Sequence, residues 1–161
     1  MEYLNNVNFT GDRTLRYTDS EIDSLFENYE KNAYTFMILT LLYPNLKYSQ
    51  KDFHQDHMHP FASFEQKKIK NLIMPDGKKI DTETIEEWKR RRNNLANLQL
   101  LEGKENESKN RESLEDWLKK DYNAENVKYL PKNISYSLSN FDVFMEERKK
   151  LMAKELKKIL L

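Results

Sequence analysis

Glycine is the residue this chain does without: three in 161 positions, beside four prolines. Tight turns and left-handed backbone are most cheaply made with glycine. A chain this poor in both punctuating residues is expected to fold into long regular elements joined by few sharp turns. Its length suits one domain with a real core. Charged residues, 34% of the chain, divide evenly into 27 basic and 27 acidic. That balance leaves no whole-molecule basic field, so a polyanion must be met by local patches. The lack of cysteine excludes disulfides and thiolate metal sites and is compatible with a reducing cytosol. The longest strongly apolar stretch, Phe36 to Tyr43, is too short to span a bilayer. The start, Met1 to Asn6, lacks the basic and apolar regions of a signal peptide. The expectation is a soluble, intracellular and so cytoplasmic, mainly helical domain that does not engage a membrane.

Residues 1–17 show no clean period and read as an irregular lead-in. Thr18 precedes Glu21 by three, a capping box that starts a helix. Ile22, Leu25, Phe26, Tyr29, Ala33, Phe36 and Met37 continue it at helical spacing to Leu42, with its end buried on most sides, and Tyr43-Pro44-Asn45 stops it. Lys47 to Phe64 reads as a short strand and a turn, with room for a second strand. Gln66 to Leu72 fits a short helix, and Met74 to Lys78 a turn. Asp81 or Thr82 caps a second long helix with Ile85, Trp88, Arg92 and Leu95 inward. The asparagines of Asn93 to Asn97 argue against its running on unbroken. Asn106 to Lys120 reads as a third helix, 121–140 as polar and loop-like. From Phe141 a long amphipathic C-terminal helix follows, with Arg148, Lys149, Lys150, Lys154, Lys157 and Lys158 on its polar face. The expected division is a helical lead-in over 1–45, a central unit over 46–120, and a loop with the C-terminal helix over 121–161.

All three histidines fall within Phe53-His54-Gln55-Asp56-His57-Met58-His59-Pro60. Asp56 and His57 put a hard oxygen ligand beside a base that titrates near neutral pH, the grouping a metal-assisted hydrolase needs. Asn97-Leu98-Gln99-Leu100-Leu101 comes later, and Asn106 lies nine residues after Asn97, with Lys109 three further on.

This order and spacing resembles the HNH, or ββα-metal, nucleases, in which an acid-His-apolar-x-Pro strand is followed by Asn-Leu-x-x-Leu and then by His or Asn. Residues 37–60 and 94–118, with the charged C-terminal helix, look like the C-terminal nuclease domain of GmrSD-type (type IV restriction) proteins. The resemblance implies an α-rich α+β domain with a ββα-metal centre between an N-terminal helical region and a long C-terminal helix. It implies a DNA endonuclease using one Mg²⁺ or Mn²⁺, active in bacterial defence against foreign or modified DNA. His57 would be the general base, Asp56 and Asn106 the metal ligands, and Asn97 the brace of the loop carrying the base. Lys109 would meet phosphate or transition-state charge. His59, Asn110 and Arg91 would contact phosphate or support the ligands. His59 departs from the pattern, because that position is usually apolar. The family's N-terminal nucleotide-binding domain has no counterpart here, which leaves three alternatives: an excised nuclease domain, a subunit whose partner is a separate nucleotide-binding domain or subunit, or a stand-alone relative.

Each of these residues also has a plainer explanation. Asp56 and His57 would suit a surface loop, Asn97 a turn, Asn106 a helix N-cap and Lys109 a solvated helix face. Lys89 to Arg92 would serve equally as a solvated face or a phosphate track. The alternative function is a catalytically silent nucleic-acid-binding module, or a nuclease subunit that needs a nucleotide-binding partner.

Overall fold

The computed structural model of this chain describes residues 17–28, 30–120 and 127–161; the expected irregular stretch over 1–17 lies almost wholly outside the described residues, as do Tyr29 of the expected first helix and residues 121–126 of the expected loop. Helix α1, Asp19–Asn28, starts at the expected capping box: Thr18 N–H donates to Glu21 Oε2 (2.7 Å) and Glu21 N–H to Thr18 Oγ1 (3.2 Å). It does not run through to Leu42. Asn32 interrupts it and caps a separate helix α2, Ala33–Leu42, its Oδ1 accepting from the N–H groups of Tyr34 and Thr35. An asparagine that can bond the next turn's free N–H groups gains more as a cap than within a helix. The end of α2 is not buried on most sides either: Leu39 and Leu42 face inward, while Tyr34, Met37 and Leu41 are exposed.

Strand β1 covers Phe53–His57. No second strand follows it before Phe64. Pro60 lacks an N–H and leads instead into a 3₁₀ turn, Phe61–Phe64. Short helix α3, Gln66–Ile69, and the turn at Gly77 (φ +82°) precede α4, Thr82–Arg91, capped by Asp81. The chain then makes a 3₁₀ turn, Leu95–Asn97, and enters β2, Leu98–Glu102. β2 is the antiparallel partner of β1, with Asp56 opposite Gln99 and His57 opposite Leu98. Helix α5, Gly103–Lys109, follows without a loop and packs against both strands.

The expected third helix is two helices. Asn110 turns out of α5 at φ +43°, and Ser113 caps α6, Leu114–Leu118, by accepting from Asp116 N–H. The 20-residue α7, Phe141–Leu160, closes the domain, packing against α1, α2 and the 95–97 turn. Its inner side carries Phe141, Phe144, Met145, Met152 and Leu156 as expected, but Leu151 and Ile159, expected on the same apolar stripe, are exposed, and Arg148 is fully buried rather than on the polar face. Trp88, Phe64, Phe141 and Phe144 fill the centre, with Phe64 and Trp88 contacting Phe141 at ring-centroid distances of 5.0 and 5.3 Å. The indole N–H of Trp88 is satisfied by Asp142 (3.0 Å), as a buried donor must be. The architecture is α+β: helices around one two-stranded antiparallel sheet, with a long C-terminal helix. No helix among the described residues is long and apolar enough to cross a membrane.

Candidate metal and phosphate site

Residues far apart in sequence meet because β2 runs directly into α5 while pairing with β1. Asp56 and His57 from β1, Asn106 from α5 and Asn110 just beyond it all line one open cleft of about 570 Å³.

Asp56 is buried at its floor. Its Oδ2 accepts from Gln99 Nε2, its direct cross-strand partner, and from the Lys109 ammonium, both at 2.9 Å. No donor among the described residues reaches Oδ1, so that oxygen is the one Asp56 presents to the cleft. Lys109 itself is fully buried. It bonds the backbone carbonyl of His57 as well as Asp56, and lies 5.4 Å from the Trp117 ring centre. Burial pulls its pKa below the usual lysine value, and the Asp56 charge and hydrogen bond oppose that. The expected contact with phosphate therefore gives way to a different role. The ammonium lies behind the carboxylate, and Lys109 does not line the cleft.

His57 is half-buried, and its Nε2 lies 2.8 Å from Asn93 Oδ1. With that oxygen accepting, Nε2 carries the ring proton and Nδ1 the lone pair. Burial lowers the histidine pKa first of all. The Asn93 bond raises it, Lys31 lowers it, Asp56 raises it and Lys109 lowers it. The net direction favours the neutral imidazole, the form that can accept a proton.

Asn97 is fully buried. Its Oδ1 accepts from His59 N–H (2.9 Å), and its Nδ2 donates to the carbonyls of His59 (3.1 Å) and Arg92 (2.8 Å). It thus ties the segment after β1 to the end of α4. Arg148 holds the same turn from behind, donating through Nη1 to the carbonyls of Ala96 (2.8 Å) and Leu98 (2.9 Å), one on each side of Asn97. Asn94 anchors it to α1 through the Phe26 carbonyl (3.2 Å).

Two expected site residues lie elsewhere. His59 is buried against the edges of Phe144 (4.8 Å) and Phe141 (5.5 Å), and its Nε2 has no hydrogen-bond partner. β1 ends at His57, so the shared face that alternation would give the two histidines does not extend to residue 59. Burial, with Lys109 and Arg148 adding to it, pushes the His59 pKa down to about 3. Neither phosphate nor metal reaches it. Arg91 is ion-paired with Asp142 (2.7 Å) and Glu87 (3.0 Å), and borders a different depression, between α4 and α7.

Sequence reasoning missed three residues around the site: Asn93 behind His57, Gln99 beside Asp56 and Arg148 behind Asn97. Gln99 follows once the strand register is known. Arg148 lies four residues from both Phe144 and Met152, on the apolar stripe itself. Nothing local distinguishes Asn93 from the other asparagines near it.

The donor set decides which ion would fit. No three His, Cys, Asp or Glu side chains converge among the described residues, so an all-protein cage of the kind zinc takes is not formed by them. One carboxylate oxygen and one amide oxygen on an open cleft suit a hard cation that keeps most of its waters, such as Mg²⁺ or Mn²⁺. No protein-family model matches this chain, and no curated protein is significantly similar to it.

Proposed function

We propose that this chain is a divalent-metal-dependent endonuclease of the HNH type, hydrolysing phosphodiester bonds in DNA. The observation that carries the reading is the cleft shared by Asp56, His57 and Asn106, with His57 Nε2 2.8 Å from Asn93 Oδ1; with that amide oxygen accepting, Nδ1 is the basic nitrogen. In this reading Nδ1 of His57 takes a proton from water as the water oxygen attacks phosphorus. The P–O3′ bond breaks, leaving a 5′-phosphate and a 3′-oxygen that takes a proton from solvent. Asn93 keeps the imidazole in the tautomer the step requires. Asp56 Oδ1 and the Asn106 amide oxygen would hold the ion, which supplies positive charge to the scissile phosphate and the departing oxygen. Gln99 and Lys109 fix the Asp56 carboxylate, so that the presented oxygen does not rotate away. Asn97 and Arg148 hold the turn on which these parts depend. The role in restriction of foreign or modified DNA and a nucleotide-binding partner belong to the same proposal and rest on the family resemblance alone; a cytoplasmic site of action belongs to it too, and the lack of cysteine is compatible with it.

The test is supercoiled plasmid incubated with the protein and Mg²⁺ or Mn²⁺, with and without chelator. The reading expects metal-dependent nicks that DNA ligase can seal, because their ends are 5′-phosphate and 3′-hydroxyl. DNA binding without nicking in any divalent metal would favour a silent binding module.

A further inference from the structure

Of the three phenylalanines that line this cleft, Phe61 is the one left largely exposed. Phe61 is 46% exposed and lines the cleft beside His57, the two ring centres 5.9 Å apart. Single exposed phenylalanines are common and carry no message alone. This one is held in place. Pro60 fixes the backbone before it, and Ala62 and Phe64 of the same 3₁₀ turn are buried. Arg92 lies over its ring with Cζ 3.6 Å from the centre. Arg92 does not line the cleft and makes no ion pair among the described residues, and its Nε is buried without a partner. The guanidinium is thus committed to the ring, a cation–π contact that backs one part of it while another part borders the cleft.

The charge around the cleft shows what such a ring is needed for. Lys31 and Arg111 line it and are unpaired among the described residues, but Glu65 and Asp56 line it too. In a chain of zero net charge, these cations offer a nucleic acid little electrostatic binding. Stacking of a base on an aromatic ring does not depend on net charge and accepts any base. A base inside a duplex has both faces covered, so a ring at this position is useful only to a base that has left its stack.

We infer that Phe61, backed by Arg92, is a platform for an unstacked nucleobase next to the phosphate that His57 addresses. The preferred substrate class is accordingly single-stranded or locally unpaired DNA rather than perfect duplex. The inference rests on the nuclease reading for the role of His57.

The test uses wild type, Phe61→Ala and Phe61→Trp. Binding of a single-stranded oligonucleotide carrying 2-aminopurine is measured in Ca²⁺, and cleavage of matched and mismatched duplexes is measured in Mg²⁺ and Mn²⁺. Phe61→Ala is expected to weaken single-strand binding about tenfold or more and to abolish the preference for the mismatched duplex. Phe61→Trp restores both. Stacking should also change the 2-aminopurine emission in wild type and not in Phe61→Ala. With two phosphate contacts, log affinity should fall against log salt with a slope of only about −1.4. If wild type cleaves while Phe61→Ala binds and discriminates as well as wild type, the platform is refuted and the nuclease reading stands. If wild type binds through Phe61 but cleaves nothing in any metal, the nuclease reading fails instead. If wild type binds no nucleic acid, both fail.

Discussion

His59 should make this protein sensitive to mild acid, because burial holds its pKa well below that of a free histidine. Its imidazole is enclosed by Phe141 and Phe144, with the Lys109 and Arg148 cations nearby, and its pKa is pushed down to about 3. In the unfolded chain a histidine titrates at about 6.5. Between those values the unfolded state binds a proton that the native state refuses. Stability therefore falls as pH drops through the unfolded pKa, and this contribution levels off only below the folded one. At about 1.36 kcal/mol per unit the full loss approaches 5 kcal/mol, and from about pH 7.5 to about pH 5 it is about 2 kcal/mol. Carboxylates that titrate in the same range add their own slopes, so the assay is a comparison. Urea unfolding of wild type and His59→Leu is followed at both pH values. Leucine removes the titration, and it gives up no bond at Nε2, which has none. The reasoning expects the wild type to lose about 2 kcal/mol more than the variant on acidification. Parallel pH dependence of the two proteins would refute it.

Four further outcomes follow from the cluster behind the cleft. Asn93→Ala frees the His57 ring from its 2.8 Å partner and should slow cleavage about tenfold, the worth of one hydrogen bond of about 1.4 kcal/mol, with DNA binding unchanged. Lys109→Met leaves the buried Asp56 carboxylate without its counter-charge and should cost about 3–5 kcal/mol in urea unfolding. Replacing both, Lys109→Met with Asp56→Leu, should recover much of that stability and none of the activity. Arg148→Met strips the Ala96 and Leu98 carbonyls of their guanidinium partner and should lower stability by about 2–4 kcal/mol, seen as a lower unfolding midpoint.

The sequence made local signals easy to read and long-range ones hard. The capping box at Thr18 and Glu21 and the stop at Tyr43-Pro44 act within one helical turn and stand where spacing puts them, and most of the apolar stripe of α7 does too, with Leu151 and Ile159 exposed and Arg148 buried as its exceptions. Breaks inside apparently continuous helices were missed at Asn32 and Asn110. An asparagine can continue a helix or cap one, and only the packing around it decides. The partner of β1 is not the segment before Phe64 but Leu98–Glu102, more than forty residues on, a pairing that no local signal marks. The meeting of Asp56, His57 and Asn106 at one cleft is what the family resemblance implies. The burial of Lys109, His59 and Arg148 is not. Such residues are mostly exposed, and here each is buried by a neighbour distant in sequence: Asp56 for Lys109, the α7 phenylalanines for His59, and the 95–97 turn for Arg148.

The central claim is that the cleft cuts phosphodiester bonds with His57 as the base. Its most direct measurement is the single-turnover cleavage rate of wild type beside His57→Ala, in Mg²⁺ or Mn²⁺, after both proteins are shown to unfold at similar urea concentrations. The account predicts metal-dependent cleavage by wild type and a loss of about 10²- to 10⁴-fold in the variant, the range of a positioned general base. Equal rates from the two proteins, or no cleavage from either in any divalent metal, would contradict it.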